Sequence, residues 1–152
     1  MAAQAWSFYN EAKRSLMDGT IDLDTNNFFM HLYQSASDFA TATQSALSEL
    51  SSEVASGNGY VQSGKALTSV TWASGDSASE WRFDCADLVW TATGGNIANI
   101  KAAVIVAQTG SSAKDGANKL LVYSSLTSSQ FTLTSGNTLT LTISANGIFE
   151  LN

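Results

Sequence analysis

The stretch 131–144 reads FTLTSGNTLTLTIS, and it decides the fold class of this chain. Apolar and hydroxyl residues alternate one for one on both sides of Gly136-Asn137. A period of two places successive side chains on opposite faces of an extended strand. We therefore predict a β-hairpin, with one apolar face and one face coated by threonine.

The same short-strand pattern continues upstream of this stretch, with turn residues between the strands. The chain has no proline, so Gly, Asn, Asp and Ser must build the turns. These signals predict a mainly β fold, an antiparallel β-sandwich of jelly-roll-like type. The predicted strands after Tyr60 are Ala66–Trp72, Glu80–Cys85, Asp87–Thr91, Ile100–Gln108, Lys119–Tyr123, Gln130–Thr134, Thr138–Ile143 and Ile148–Leu151.

The first third of the chain is less regular. Residues 4–18 have the spacing of an aromatic helix that ends at Asp18-Gly19, and it docks either on its own β-core or on a neighbouring subunit. Strands are predicted at Ile21–Asp24 and at Asn27–Tyr33, the second buried on both faces. One further short helix is predicted near residues 46–54. We expect an N-terminal helix or arm at 1–18 and a single β-sandwich domain at 19–152.

The amino-acid composition limits which classes of function are plausible for this chain. Charged residues make up 13% of the 152 residues, the net charge is −6, and the seven Lys and Arg are scattered, so we expect no nucleic-acid or membrane partner. One cysteine allows no internal disulfide. We expect no signal peptide and no membrane span, hence synthesis in a reducing cytoplasm. A surface rich in hydroxyls rather than charges is typical of extracellular and virion β proteins.

Two single residues are candidates for chemistry. His31 is the only histidine and lies in an apolar run, with no nucleophile motif such as Gly-x-Ser-x-Gly in the sequence, so we expect it in the core or an interface. Cys85 has Asp84 and Asp87 nearby, which disfavours a thiolate, so we expect a buried, unreactive thiol.

Clusters of side chains give the remaining candidates, and none has the spacing of an established site. Asp18, Asp22 and Asp24 could hold Ca²⁺ but fit no EF-hand loop. We therefore assign no catalytic, cofactor-binding or metal-binding residue and expect a protein that is not an enzyme. Weaker alternatives are a glycosidase carboxylate pair among Glu80, Asp84 and Asp87, and a sugar-stacking platform among Trp6, Trp72, Trp81, Trp90, Tyr9, Tyr33, Tyr60 and Tyr123.

Several motifs along the chain occur in a familiar order. The chain reads LMDGTIDLD at 16–24, EVASGNGY at 53–60, GKAL at 64–67, VTW at 70–72, DLVWTATGGNI at 87–97 and NGIFEL at 146–151. With these turn glycines and core aromatics, the sequence resembles a family of small structural proteins of tailed bacteriophages over residues 8–151. Residues 34–48 depart from that pattern.

The resemblance implies a non-enzymatic virion protein that is made in the host cytoplasm. We expect a capsid decoration or cement protein that binds other virion proteins, above all the major capsid protein, and forms a homo-oligomer. The alternatives are a tail or fibre component, or a glycan-binding adhesion module. A glycan-binding module requires some of Trp72, Trp81, Trp90 and Tyr60 to be exposed together.

Overall fold

The computed structural model describes residues 5–152, and the fold is mainly β, as the sequence predicts. The helix α1 spans Asn10–Met17, and a 3₁₀ turn spans Leu47–Glu49. The strands are β1 (Ser7–Phe8), β2 (Phe28–Tyr33), β3 (Lys65–Ala66), β4 (Thr71–Ser74), β5 (Trp81–Asp84), β6 (Leu88–Thr91), β7 (Ile97–Ile100), β8 (Ala102–Ala107), β9 (Lys119–Ser125), β10 (Phe131–Leu133), β11 (Thr138–Leu141) and β12 (Phe149–Leu151).

All the strand pairs are antiparallel, and they form one larger sheet and three smaller ones within residues 5–152. The larger sheet has the order β1-β9-β8-β2-β3. The smaller ones are β12-β5-β4, β11-β6 and β10-β7. Every residue of β8 is buried, which explains its unbroken apolar sequence, since neither of its faces meets water.

Aromatic contacts join the two largest sheets face to face. The ring of Phe28 on β2 lies 4.9 Å from that of Phe83 on β5. The ring of Phe8 on β1 lies 4.6 Å from that of Phe149 on β12. The three-stranded sheet therefore packs across the five-stranded one, in the manner of a β-sandwich. The segment after Ser52 covers part of the other side of β2, so β2 is buried on both faces as predicted.

The predicted hairpin at 131–144 is wrong, although its strands and its alternation are present. Leu133, Leu139 and Leu141 are buried while the intervening threonines face outward. However, β10 pairs with β7 and β11 pairs with β6, not with each other. The turn at Gly136 is bridged to Ala92 of the facing segment by backbone hydrogen bonds. It therefore joins two sheets instead of closing a hairpin.

The N-terminal helix is shorter than the predicted 4–18, of which Gln4 lies outside the described residues. Ser7 and Phe8 pair with β9, and the N–H of Tyr9 continues that ladder to the carbonyl of Leu121. These residues are therefore extended, and the helix begins only at Asn10. Tyr9 and Ala12 are fully buried, so the helix docks on the protein's own core.

The predicted strand Ile21–Asp24 is a turn. The Asp22 carboxylate accepts the backbone N–H groups of Asp24 and Thr25. A short acidic side chain that bonds the following backbone in this way competes with strand pairing. Ile21 and Leu23 are nevertheless buried, and their apolar character is what suggested a strand.

Three other predicted elements differ from the structure. The helix near 46–54 is only the 3₁₀ turn Leu47–Glu49. The strand Ala66–Trp72 is divided between β3 and β4, because Ser69 takes a positive φ of 51° and the two halves pair with different sheets. The strand Ile100–Gln108 is preceded by an unpredicted strand, β7, and Lys101 separates it from β8.

Candidate functional site

An exposed apolar surface lies where the end of α1 meets the three-stranded sheet. We call it the aromatic surface, and it consists of Leu16, Met17, Trp72, Trp81 and Leu151. Met17 is 89% exposed, Trp81 47% and Leu151 44%, while Leu16 and Trp72 are partly buried. Large side chains this exposed are costly to leave in water, so a cluster of them marks a contact site more often than single scattered ones do.

The alternation of side chains along the strands determines which residues of the three-stranded sheet contribute to this surface. In the register of the sheet, Trp72 lies opposite Phe83, and Leu151 lies opposite Trp81. These side chains therefore share one face. At the inner end Phe83 and Phe149 are buried in the core, whereas at the outer end Trp81 and Leu151 are exposed. The apolar face of the sheet thus extends beyond the core that covers it.

The two tryptophans are in contact. The ring centroids of Trp72 and Trp81 lie 5.6 Å apart with an interplanar angle of 35°, and Trp72 also lies 6.4 Å from the ring of Phe149. This chain of rings anchors the exposed Trp81 through Trp72 to the buried core. The two tryptophans of the aromatic surface are therefore held in place by packing on strands of the sheet.

The opposite face of the same sheet is polar and rigidly connected. Arg82 donates to the carboxylate of Glu150 at 2.9 Å, to Asp76, and to the carbonyl of Ala145. These bonds tie β5 to β12 and to the turns on either side. The sheet is thus amphipathic, with Arg82 and Glu150 paired on one face and apolar side chains on the other, of which Trp81 and Leu151 are exposed.

A groove of about 290 Å³ runs along the aromatic surface. Its walls are the end of α1 with the following turn on one side and the sheet on the other. Its lining is mostly apolar, with a single carboxylate, that of Asp22. The lining residues are Leu16, Met17, Gly19, Ile21, Asp22, Leu23, Trp72 and Leu151.

His31 lies in a buried polar cluster elsewhere in the fold. Its Nδ1 is 2.9 Å from Oε1 of Glu53, and Oε1 also accepts the hydroxyl of Tyr60 at 2.6 Å. The hydroxyl of Tyr60 accepts the backbone N–H of Leu32 at 2.9 Å. His31 is fully buried, as predicted, and its Nε2 has no hydrogen-bond partner among the described residues.

This cluster fastens the 53–64 segment to β2. A Cβ at Gly64 would come within 2.7 Å of Nε2 of His31, so the backbone of Gly64 lies directly against the imidazole. Burial is the main cause that raises the pKa of Tyr60 far above its usual value, so its hydroxyl keeps its proton. A histidine enclosed in this way has no access to a substrate, and the cluster acts as a clamp between two parts of the chain.

Cys85 is buried, as the sequence predicts. Burial first, and then the charges of Asp84 and Asp87, raise the pKa of its thiol to about 12. The thiol is therefore protonated at neutral pH and is a poor nucleophile.

The candidate carboxylates accept hydrogen bonds from backbone N–H groups of this chain. Asp18 accepts the N–H of Thr20, as Asp22 accepts those of its own turn. Asp84, Asp87 and Glu80 accept backbone N–H groups of Cys85, Ile143 and Ser77 respectively. Within residues 5–152, no group of three or more His, Cys, Asp or Glu side chains is placed to hold a metal ion.

The candidate aromatics divide between core and surface. Trp90, Tyr9, Tyr33 and Tyr60 are buried, and only Trp81 among the eight is exposed, with Trp72 beside it. Sequence reasoning named both tryptophans but missed Met17 and Leu151. The only signal for Met17 was its place directly before the Asp18-Gly19 helix stop, and Leu151 ends the last predicted strand.

In the part of the chain that the structure describes, no helix has the length and apolarity needed to cross a membrane. No family model, no curated protein and no solved structure matches this chain.

Proposed function

We propose that this chain is a non-enzymatic structural subunit of a tailed-bacteriophage virion that decorates the capsid and self-associates there. The observation that supports attachment to another protein is the aromatic surface, an anchored patch that includes Met17, Trp81 and Leu151, each at least 44% exposed. The attribution to a virion rests on the sequence resemblance described above.

The distribution of reactive groups supports a structural role. His31 and Cys85, the groups best suited to catalysis at neutral pH, are enclosed in the fold. The side chains of the aromatic surface are all apolar. Such a surface is suited to binding a protein by burial of apolar area.

The outer edge of β4 supports self-association. β4 is the last strand of the order β12-β5-β4, so no further strand pairs with its outer edge within residues 5–152. Its sequence, Thr71-Trp72-Ala73-Ser74, carries no charge and no proline, which are the usual devices that block edge pairing. A second copy could therefore extend this sheet by pairing its own β4.

Attachment is tested with particles of the phage that encodes the chain, prepared without this protein and mixed with purified protein. Wild type should co-sediment with the particles, and the double variant Met17→Gln with Trp81→Thr should not. Val89→Thr is the control, because Val89 is also an exposed apolar residue, 40% accessible, but lies on β6 outside the aromatic surface. Equal co-sedimentation of the double variant would show that attachment does not use this surface.

Immunogold labelling of the same particles tests the location. Label on the head supports capsid decoration, and label on the tail supports the tail or fibre alternative. Light scattering tests self-association: Thr71→Lys, which adds a charge to the free edge of β4, should shift an oligomer towards the monomer. A wild-type protein that is monomeric at high concentration refutes self-association.

A second candidate is glycan binding, because Trp72 and Trp81 lie side by side and Trp81 is exposed. Sugars stack on such faces. Tryptophan fluorescence should then change on titration with a specific glycan from a glycan array, and Trp81→Thr should remove the response. A negative array refutes this candidate.

A further inference from the structure

The groove on the aromatic surface has one carboxylate in its lining and two more beside it in the sequence. Asp22 lines the groove, and Asp18 and Asp24 each directly follow lining residues. The nearby cations are Lys13 and Arg14 on α1 and Lys119 on β9. Arg14 is held by ion pairs to Glu11 and Asp18, and Lys119 interacts electrostatically with the same two carboxylates. Residues 11–24 together with Lys119 hold four carboxylates and three cations, which leaves a net charge of −1 (3 − 4).

The end of α1 increases this negative charge. Unpaired carbonyls give a helix C-terminus a partial negative charge, which favours a cation at that position. Here the C-cap residue is Asp18, an acid at the unfavourable end. Hydrogen bonds from Thr25 and from the Asp24 N–H hold the pKa of Asp22 below its usual value, so its carboxylate is ionised at neutral pH. Arg14 in the last turn of α1 pairs with Asp18, so the carboxylate of Asp22 is the charge that the groove itself presents.

A second copy of this chain is poorly suited to the groove. The chain has only seven lysine and arginine side chains that could lie against Asp22 in the groove of another copy. Four of its seven cations are also engaged within the fold. Arg14 and Arg82 form ion pairs, Lys101 donates to the carbonyls of Thr127 and Ser128, and Lys65 lies 5.9 Å above the ring of Trp90.

We propose that this groove binds a segment of a different protein that presents an apolar side chain next to lysine or arginine. The apolar side chain fills the space between Met17 and Trp72, and the basic group lies against Asp22. This inference rests on the proposed attachment function and names the chemistry of the partner. The apolar contact supplies most of the affinity, and the carboxylates select for charge.

The test uses the full chain and two short capped peptides. Both carry one leucine, which two lysines flank in the first peptide and two glutamates in the second. Binding is followed by the fluorescence of the tryptophans and by calorimetry. We expect the lysine peptide to bind about tenfold more tightly at low ionic strength, and the difference to shrink at about 0.5 M salt, where screening is strong.

Charge and contact are separated by variants. Asp22→Asn keeps an oxygen that can accept the backbone bonds of its turn, and should weaken lysine-peptide binding about two- to fivefold. Asp115→Asn is the matched control, because Asp115 also accepts backbone N–H groups in a turn but lies outside the groove. It should leave affinity unchanged. Met17→Gln should weaken binding of both peptides.

Several results overturn the inference. The first is equal affinity for the two peptides, and the second is no binding of the lysine peptide at millimolar concentration. The third is an oligomer that Met17→Gln dissociates, because a second copy would then be the occupant of the groove. If the particles bind wild type and lose the Met17→Gln, Trp81→Thr variant while the peptides show no charge preference, the attachment function stands and the basic partner does not. If the peptides behave as expected but the particles never bind the protein, the partner chemistry stands and the virion function fails.

Discussion

The hydroxyl of Tyr60 is the most informative single atom to remove from the core. Tyr60 is 1% exposed, and its hydroxyl makes two hydrogen bonds, to Glu53 and from the N–H of Leu32. Tyr60→Phe deletes only this oxygen and leaves the ring in place. The N–H of Leu32, a fully buried residue, then loses this partner.

The expected cost follows from these contacts. A lost hydrogen bond costs about 1 kcal/mol, and a buried donor left unpaired adds about 1–3 kcal/mol. Glu53 keeps its bond to His31, and its side chain is 18% exposed, so water can replace part of what it loses. Tyr60→Phe should therefore lower the free energy of unfolding by about 2–4 kcal/mol, a large share of the stability of a domain.

The assay is urea unfolding, with the same substitution at two other tyrosines as a scale. The hydroxyl of Tyr9 makes one buried bond, to the carbonyl of Phe39, so Tyr9→Phe should cost about 1–2 kcal/mol. Tyr123 is half-buried and packs against the ring of Tyr9, and no hydrogen bond of its hydroxyl is found within residues 5–152. Tyr123→Phe should cost less than about 0.5 kcal/mol.

The order of the three variants, at unchanged m-values, is the critical result. If Tyr60→Phe were no more destabilising than Tyr123→Phe, the hydroxyl would not connect the 53–64 segment to β2. The clamp around His31 would then be refuted.

Three further predictions concern other parts of the fold. The Cys85 thiol, whose pKa burial raises to about 12, should react with a thiol reagent at pH 8 far more slowly in the native protein than in urea; equal rates would show that it is accessible. Hydrogen bonds from Ser51 hold the pKa of Asp38 below its ordinary value. The ionised carboxylate of Asp38 therefore stabilises the fold fully above about pH 4, and this stabilisation is lost as the pH falls through the folded pKa. Asp38→Asn should flatten the acid limb of a curve of unfolding free energy against pH. Gly59→Ala should prevent folding or lower the free energy of unfolding by on the order of 3 kcal/mol or more, because its Cβ would lie 2.0 Å from the carbonyl oxygen of Thr91. Gly19→Ala is the comparison, since Gly19 has a positive φ but open space around it, and it should cost only about 1–2 kcal/mol. Thermal unfolding measures both variants.

The local pattern predicted strands well and strand partners poorly. The alternation at 131–144 correctly placed Leu133, Leu139 and Leu141 inside, because the period of two is a property of each strand alone. The partners depend on residues far away in sequence. β10 and β11 each pair with a strand that lies about 30 to 50 residues earlier. A Gly-Asn turn signal does not distinguish a hairpin from a turn between sheets.

The candidate surface could be predicted only in part. The sequence identified Trp72 and Trp81 as aromatics in strands, but Trp90 has the same local character and is buried. What separates Trp81 from Trp90 is where the core ends along each strand, and that is set by tertiary packing. The clamp partner of His31 was missed for the same reason, since Glu53 lies 22 residues away in sequence.

The positions of polar and apolar groups in this protein give a consistent physical account. His31 and Tyr60 are used inside the fold, where their hydrogen bonds hold two chain segments together. Met17, Trp81 and Leu151 contribute little to that core, and their exposure is unfavourable by about 25 cal/mol for each Å² of apolar area in contact with water. Only contact with another surface removes that cost. Because Trp72 holds the outer ring in position before any partner arrives, little conformational entropy is lost on binding, which favours docking as the role of this face.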